Sequence, residues 1–423
     1  MLLKDKNILV AVTGSIAIYK ALELIRLYIK AGANVKVIMT NEAKRFINPI
    51  TFEAISQHKI LDENNESWDK NSLYNHIDTG KWADAFVIAP ASVNTINKLS
   101  NGIADNLLTQ TAIAYTKDKL LCPAANTNMV QNPITLESIK RLKLCNYEVV
   151  QTQTKELACK DVGDGAMANP EDIFYATSRL ILKDEYWNNR NVVLSGGGTI
   201  EKIDDVRYIS NFSSGKMASS LALALYLKGA NVTLVSTRGH ESLPSAIKTI
   251  EVKSSFEMYE CLVDCINSAK KAEPLKSNLL NDSEEKEVFK KPFLFMAAAV
   301  SDYVPSSFLK GKLKKELLGT TWDLKLKQNM DILSTLNKND IVSIGFKAEM
   351  DETVANENAK NMLEKKSLDG VCLNILNSDN MFGSNNNSIE LILKEKSYSF
   401  SASKFDVSMK LLNCLEKEFD EYK

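Results

Sequence analysis

His76 and Cys159 are residues in the first half of the chain whose types and settings suit acid–base chemistry, and Asn126 stands with them as an uncharged polar group. His76 stands in the polar stretch NHIDTGKWAD, ahead of an apolar run. A loop position there suits an imidazole acting as base near neutral pH, and a solvent-facing loop histidine is the plain alternative. Asn126 closes CPAAN at the end of another apolar run. Cys159 lies in ELACKDVGDGAMANP, where Gly163 and Gly165 point to a mobile flap able to close over a site. The same cysteine also reads as a small apolar filler. Ser92, Asn94, Thr95 and Asn106 offer uncharged hydrogen bonds to a heterocyclic ligand. A second constellation lies further on. SGGGTIEKIDDVRYISNFSSGKMA reads as a long surface loop, too rich in Gly, Ser and charge for a core, and such loops are usually functional. Its amides and Arg207 suit phosphate or carboxylate. MAAAVSDY puts Asp302 at an expected strand end, and Lys312, Lys314 and Lys315 cluster in KGKLKKE, which alone reads as a solvated face.

Those groups need scaffolds, and 423 residues are enough for two or three domains with proper cores. Residues 7–40 read as strand, glycine turn, helix and strand, and residues 191–237 repeat the plan, with GANVKVIMT echoed by GANVTLVST. The charged stretch LILKDEYWNNRN marks the boundary near residues 184–190. ADAFVIAPAS and KLLCPAAN in the first half, and FLFMAAAVSDY, DIVSIGFKAE and DGVCLNIL in the second, are further apolar strands of buried parallel type. Residues 270–291 read as a charged, solvated insertion. A net charge of -1 provides no sequence-wide field for nucleic acid or an anionic membrane. The short apolar run at the N-terminus ends in a glycine turn and is not expected to be an export signal. Seven cysteines without CxxC spacing argue against a disulfide framework or zinc site and for a reducing cytoplasm.

A strand, glycine turn and helix invite a nicotinamide-dinucleotide reading, but the fingerprint fails twice. The first turn has only Gly14 where three glycines are needed, and the second strands end in Met39-Thr40 and Ser236-Thr237 without an acidic residue. What survives is anion binding at helix N-termini, near Ser15 and near Ser213, Ser214 and Gly215.

Gly14-Ser15-Ile16-Ala17 with Tyr19-Lys20, His76 in HIDTGKWAD, Asn126 in PAAN and Cys159 ahead of GDGAM resemble the flavin-dependent cysteine decarboxylase family. The match is to its branch acting on 4′-phosphopantothenoylcysteine, over about residues 5–180. The resemblance implies a flavodoxin-like unit assembled as trimers, with FMN between subunits held by Gly14, Ser15, Thr40, Ser92, Asn94 and Thr95. It implies His76 as base, Asn126 as holder of the substrate carboxylate or amide, and Cys159 as the acid that protonates an ene-thiol. Decarboxylating an amide-linked cysteine lacks an electron sink until a flavin oxidises the thiol to a thioaldehyde. Ala125 replaces the family's methionine, and Lys160 and Ala166 replace a glycine and an arginine of the flap.

In the second half the long loop and lysine cluster, Asn329-Met330-Asp331-Ile332, Gly345-Phe346 and Lys366 resemble phosphopantothenate–cysteine ligase over most of 191–400. That implies activation of the pantothenate carboxylate by a nucleoside triphosphate as an acyl nucleotide, from which the amine of cysteine displaces the nucleotide. Arg207 and Asn211 would handle the intermediate, Ala298 and Asp302 the nucleotide, and Lys312 the charge formed during attack. Met330, Asp331, Ile332, Leu333, Phe346 and Lys366 would complete the nucleotide site. CTP with Mg²⁺ follows from the resemblance alone, and the metal ligands are not specified. Met330 replaces a proline, and Met362 replaces a lysine one turn before Lys366, for which Lys360 is the nearby substitute.

The expected fold class is therefore α/β: two doubly wound, mostly parallel-sheet domains. A flavodoxin-like decarboxylase would occupy residues 1–185 and a Rossmann-like ligase 190–423. The expected function is a cytoplasmic, bifunctional coenzyme A biosynthesis enzyme acting on 4′-phosphopantothenate, L-cysteine and CTP. Trimeric decarboxylase and dimeric ligase units are expected, with no nucleic acid or membrane partner. A flavin-binding regulator is the rival from another class, and the presence of both His76 and Cys159 argues against it.

Overall fold

The computed structural model describes residues 1–69, 75–156, 162–238, 243–271, 290–312, 320–376 and 383–420. The described residues form two compact units, Met1–Leu182 and those from Lys183 on.

In the first unit, β1 (Asn7–Val12), β2 (Asn34–Met39), β3 (Ala85–Ala91), β4 (Lys119–Pro123) and β5 (Tyr147–Val149) form a parallel sheet of order β2-β1-β3-β4-β5. β1 and β3 are buried along almost their whole length, which is why both read as unbroken apolar runs. The helix Tyr19–Lys30 buries Ala21, Leu24, Ile25 and Tyr28, a stripe at 3- and 4-residue spacing, against β1 and β2. It ends where Gly32 turns into the left-handed region at φ 94°. The Gly229 of the second GAN ends the corresponding helix in the same way at φ 100°. β6 (Gln153–Glu156) and β7 (Val162–Ala166) form a separate antiparallel hairpin. The chain leaves β1, returns as β2, and crosses to β3 on the other side, which opens a crevice at the carboxyl ends of β1 and β3.

The core of this unit also holds an amine. Lys119 is 5% exposed, and its Nζ donates to the carbonyls of Tyr115 (2.7 Å) and Lys117 (3.3 Å) beside the Tyr147 ring. Burial pushes its ammonium down to about 8. The folded chain releases this proton before the unfolded chain does, so above about pH 8 the unfolded state binds more protons and stability rises with pH until the ordinary lysine range. Chemical denaturation of wild type and Lys119→Met from pH 7 to 10 should show their stability difference moving in favour of wild type as pH rises. A difference independent of pH would contradict this.

The second unit contains β8 (Asn191–Gly196), β9 (Glu201–Lys202), β10 (Tyr208–Ile209), β11 (Asn231–Ser236), β12 (Lys248–Glu251), β13 (Phe293–Met296), β14 (Tyr303–Pro305), β15 (Leu326–Gln328), β16 (Val342–Glu349), β17 (Gly370–Ile375), β18 (Asn386–Ile392) and β19 (Ser397–Ser403). Its main sheet runs β12-β11-β8-β13-β16-β17-β18-β19, parallel up to β17 and antiparallel from β17 to β19. β9/β10 and β14/β15 are two-stranded antiparallel ribbons in the loops that follow β8 and β13. The charged stretch at 184–190 packs into this unit, where Trp187 is buried and the Arg190 guanidinium stacks 4.0 Å from the Tyr186 ring and donates to the Lys291 carbonyl.

Three expectations need correcting. His76 is not in a loop: it is the first residue of the helix His76–Trp82, which Asn75 caps by accepting the Asp78 N–H. The stretch after β8 is not a free surface loop, because Thr199, Glu201, Ile203 and Asp204 are buried. There Asp204 Oδ1 accepts the N–H groups of Val206 (2.8 Å) and Arg207 (2.7 Å), and Glu201 Oε1 accepts that of Ser255 (3.0 Å). Asp302 does not end β13, which stops at Met296; it precedes β14.

Candidate active sites

In the first unit hydrogen bonds tie the strand ends into one rim. Thr13 Oγ1 donates to the Pro90 carbonyl (2.7 Å) and accepts the Ser92 N–H (2.9 Å), joining the exits of β1 and β3. Ser15 Oγ accepts the Ala17 N–H and bonds the Ala124 carbonyl (3.4 Å), joining β1 to β4. Thr40 and Ser92 cap the next helices through the N–H groups of Ala43 and Thr95, and Asn126 Oδ1 accepts that of Asn128. Asn94 is exposed, while Thr95 is buried and pairs with Ser92 Oγ at 3.2 Å. The rim therefore presents hydroxyls and amides around helix starts at the carboxyl ends of β1–β4. This donor set fits a flavin mononucleotide, with capping hydroxyls and backbone amides for the phosphate and uncharged groups for the ring. Gly14, Ser15, Thr40, Ser92, Asn94 and Thr95 are the residues that would hold it.

Gly163 and Gly165 lie where β7 packs closely on its neighbours. A Cβ on Gly165 would stand 2.1 Å from the Ala125 carbonyl oxygen, and one on Gly163 would stand 2.0 Å from Thr127 Oγ1. Ala125 N–H donates to the Gly165 carbonyl (3.1 Å), so β7 lies flat on the loop that carries Asn126. These glycines serve close approach. Gly165→Ala should push β7 off Ala125 at a cost of about 1–3 kcal/mol and lower decarboxylation several-fold, with ligation unchanged. Normal decarboxylation in the variant would show that this packing does not position Asn126. Cys159 and Lys160 lie outside the described residues.

His76 has a partner that composition did not reveal. Its Nδ1 is 2.8 Å from Glu66 Oε1, its backbone N–H reaches the same oxygen at 3.4 Å, and the Trp68 ring stands edge-on at 5.4 Å. The segment ENNESW has neither apolar period nor motif, so nothing in the sequence marked Glu66 or Trp68.

In the second unit, Ala298, Asp302, Met330, Asp331, Ile332, Leu333, Phe346 and Lys366 all line one cavity of about 490 Å³. The loop after β13 is held beside β8 by bonds from Ala298 N–H to Ser195 Oγ (3.1 Å) and from Ser301 N–H to Thr199 Oγ1 (3.1 Å). Asn329 Nδ2 donates to the Ser301 carbonyl (2.7 Å) and Asn329 N–H to the Asp302 carbonyl (2.8 Å), which brings the 329–333 segment alongside. Asp331 pairs with Lys366 at 2.9 Å and caps the helix Ile332–Thr335. Burial would raise its carboxyl, but hydrogen bonds from Lys366 and Ser334 outweigh that and hold it below the ordinary carboxylate range. The Ser301 hydroxyl is buried on this wall without a hydrogen-bond partner, the usual sign of a place left for a ligand or water. Sequence reasoning missed Ser301. Met362 lines the same cavity, where its methyl limits the space over Gly345, and Lys360 does not line it.

A cavity of about 180 Å³ shares Ala298 and Phe346 with the first and reaches Ser213, Ser214 and Gly215 at the start of the helix Lys216–Leu227. One of about 750 Å³ beyond it holds Asn211, Arg238 and the unpartnered buried hydroxyl of Thr237. Asn211 Nδ2 donates to the Val300 carbonyl (3.0 Å), so it sits between the outer and inner cavities. Lys312 lines none of the three. It is exposed on a loop anchored to the Arg207 turn by Leu309 N–H to Ile203 carbonyl (3.1 Å) and Gly311 N–H to Asp205 Oδ2 (2.6 Å). Lys314 and Lys315 lie outside the described residues. Among the described residues no three His, Cys, Asp or Glu side chains form a metal-binding group, and no helix is long and apolar enough to cross a membrane.

A crevice rimmed by hydroxyls and amides on one doubly wound unit and a set of adjoining cavities on another are the arrangement of a two-site α/β enzyme. Residues 2–182 match the flavoprotein family, and residues 187–273 and 275–418 match the DNA/pantothenate metabolism flavoprotein C-terminal domain. The chain is 34% identical over 417 residues to the coenzyme A biosynthesis bifunctional protein CoaBC of Haemophilus influenzae, covering 98% of each chain. It is 33% identical over 419 residues to the Bacillus subtilis protein of the same name, covering 97% of each. A solved PPC decarboxylase mutant complexed with pantothenoylaminoethenethiol is 32% identical, over 41% of this chain and 96% of that one, with a TM-score of 0.38. The chain belongs to the family of bifunctional coenzyme A biosynthesis proteins.

Proposed function

We propose that the second unit ligates 4′-phosphopantothenate to cysteine using CTP, and that the first unit decarboxylates the resulting 4′-phosphopantothenoylcysteine to 4′-phosphopantetheine with FMN. The reading is supported above all by the eight residues from Ala298 to Lys366 that line one cavity although they come from four separate stretches of sequence. In the ligase, Ala298, Asp302, the 330–333 segment, Phe346 and Lys366 bind the nucleotide. Arg207 and Asn211 orient the acyl nucleotide, and Lys312, carried on the loop bonded to the Arg207 turn, offsets charge as the amine attacks. Mg²⁺ enters with the nucleotide phosphates. Bound FMN would supply two-electron redox chemistry, oxidising the substrate thiol so that the substrate itself can accept the electron pair that CO2 leaves behind. In the decarboxylase, His76 takes the thiol proton, Asn126 orients the substrate carboxylate or amide, and Cys159 delivers the final proton. The units work as homo-oligomers in the reducing cytoplasm.

The test uses the purified full chain. It should carry oxidised flavin, release pyrophosphate from CTP only when phosphopantothenate is present, and release CO2 once cysteine is added. Pyrophosphate from ATP but not CTP would overturn the nucleotide assignment, and absence of flavin would overturn the decarboxylase.

A further inference from the structure

The imidazole of His76 is held on two sides. The carboxylate of Glu66 meets Nδ1 at 2.8 Å, and the Trp68 ring stands edge-on to it with centroids 5.4 Å apart at 83°. Both partners come from one short stretch of chain, and the Glu66 and His76 side chains each keep 22% of their surface exposed. The same carboxylate oxygen also faces the His76 backbone N–H at 3.4 Å, so one acceptor anchors the main chain and the ring of the same residue. Asp78, the acid nearest in sequence, is engaged elsewhere: it accepts from Asn75 Nδ2 (2.7 Å) and donates its N–H to Asn75 Oδ1 (2.8 Å).

An ionised carboxylate only accepts hydrogen bonds, so the ring proton facing Glu66 belongs on Nδ1. A neutral imidazole has one such proton, and the lone pair is then on Nε2. We propose that Glu66 is the positioning residue of the decarboxylase base: it fixes the tautomer and plane of His76 so that Nε2 is the atom that accepts the substrate's thiol proton. This rests on the reading of His76 as base. In the step itself the S–H bond breaks, its electron pair stays on sulfur as thiolate, and an N–H bond forms at Nε2. The imidazolium so formed is paired with Glu66 in a half-buried site, where that pairing is stronger than in open water.

The experiment compares full-length holoenzymes carrying Glu66→Gln, Glu66→Asp, His76→Asn, and Glu66→Gln with His76→Asn together. Glu66→Gln should lower kcat for decarboxylation on the order of 10²-fold with KM and flavin content unchanged, because the substrate and flavin contacts remain. Glu66→Asp keeps the charge and should recover part of that loss. The double variant should be no slower than His76→Asn alone, since Glu66 acts only through the ring. A second readout needs no flavin: acylation of His76 by diethyl pyrocarbonate, mapped by mass spectrometry on the stripped protein, should be several-fold slower in Glu66→Gln. Wild-type kcat in Glu66→Gln beside an inactive His76→Asn would overturn the positioning role and leave the base assignment standing. Wild-type rates in both would overturn the base assignment. A double variant slower than His76→Asn, or loss of flavin in Glu66→Gln, would assign Glu66 a structural role instead.

Discussion

His76→Asn should lose decarboxylation by about 10²- to 10⁴-fold while retaining flavin and full ligase activity, the range that a positioned general base contributes. The amide cannot take up a proton at neutral pH, so the thiol would have to ionise unaided. Structure sharpens the expectation. His76 begins the helix His76–Trp82 behind the cap from Asn75, and asparagine at that position leaves the cap and the buried Thr79 and Gly80 contacts in place. A fall in activity would thus report lost proton transfer and not an unfolded helix. Anaerobic mixing with substrate separates the cases: the variant should leave the flavin oxidised. Flavin reduction at the wild-type rate would remove His76 from the base role.

Lys312→Gln is the second large effect, and it divides the ligase reaction. In the proposed reaction, activation expels pyrophosphate, whose charge Mg²⁺ would largely neutralise. Attack by cysteine builds an oxyanion and releases a nucleoside monophosphate, so a fixed ammonium matters more in that step. A loss of about 3 kcal/mol, or ~10²-fold, is expected if it behaves like one oxyanion-hole donor. Lys312 lines none of the three cavities described above, but its loop is bonded to the turn that carries Arg207 through Leu309–Ile203 and Gly311–Asp205. That anchoring supports a role beside the acyl group, away from the nucleotide base. Quenched reactions of the variant with CTP and phosphopantothenate should show pyrophosphate and trapped acyl nucleotide, with little amide after cysteine is added. Amide formation at the wild-type rate would make Lys312 an ordinary surface charge, and loss of pyrophosphate as well would move it to activation.

Sequence alone determined the α/β class and its repeated strand–helix–strand openings. Parallel strands buried on both faces must be apolar throughout, so NILVAV, AFVIAPA and FLFM declare themselves locally. Site residues at strand ends follow from the same rule, because the chain must become polar where the sheet stops. Tertiary structure decided what depends on contacts distant in sequence. Gly163 and Gly165 read as marks of a mobile flap, and only the fold shows that Thr127 and Ala125 leave no room for a Cβ at either. The acidic partner of His76 comes from a stretch without period or motif, and only the fold brings Glu66 to the ring. The buried hydroxyl of Ser301 is indistinguishable in sequence from any serine beside an aspartate. The loop of Lys312 is tied to the Arg207 turn because two segments far apart in the chain hydrogen-bond to each other. Local composition specifies which segments are buried, and the partner of a polar side chain is set by chain crossing, which no local pattern encodes.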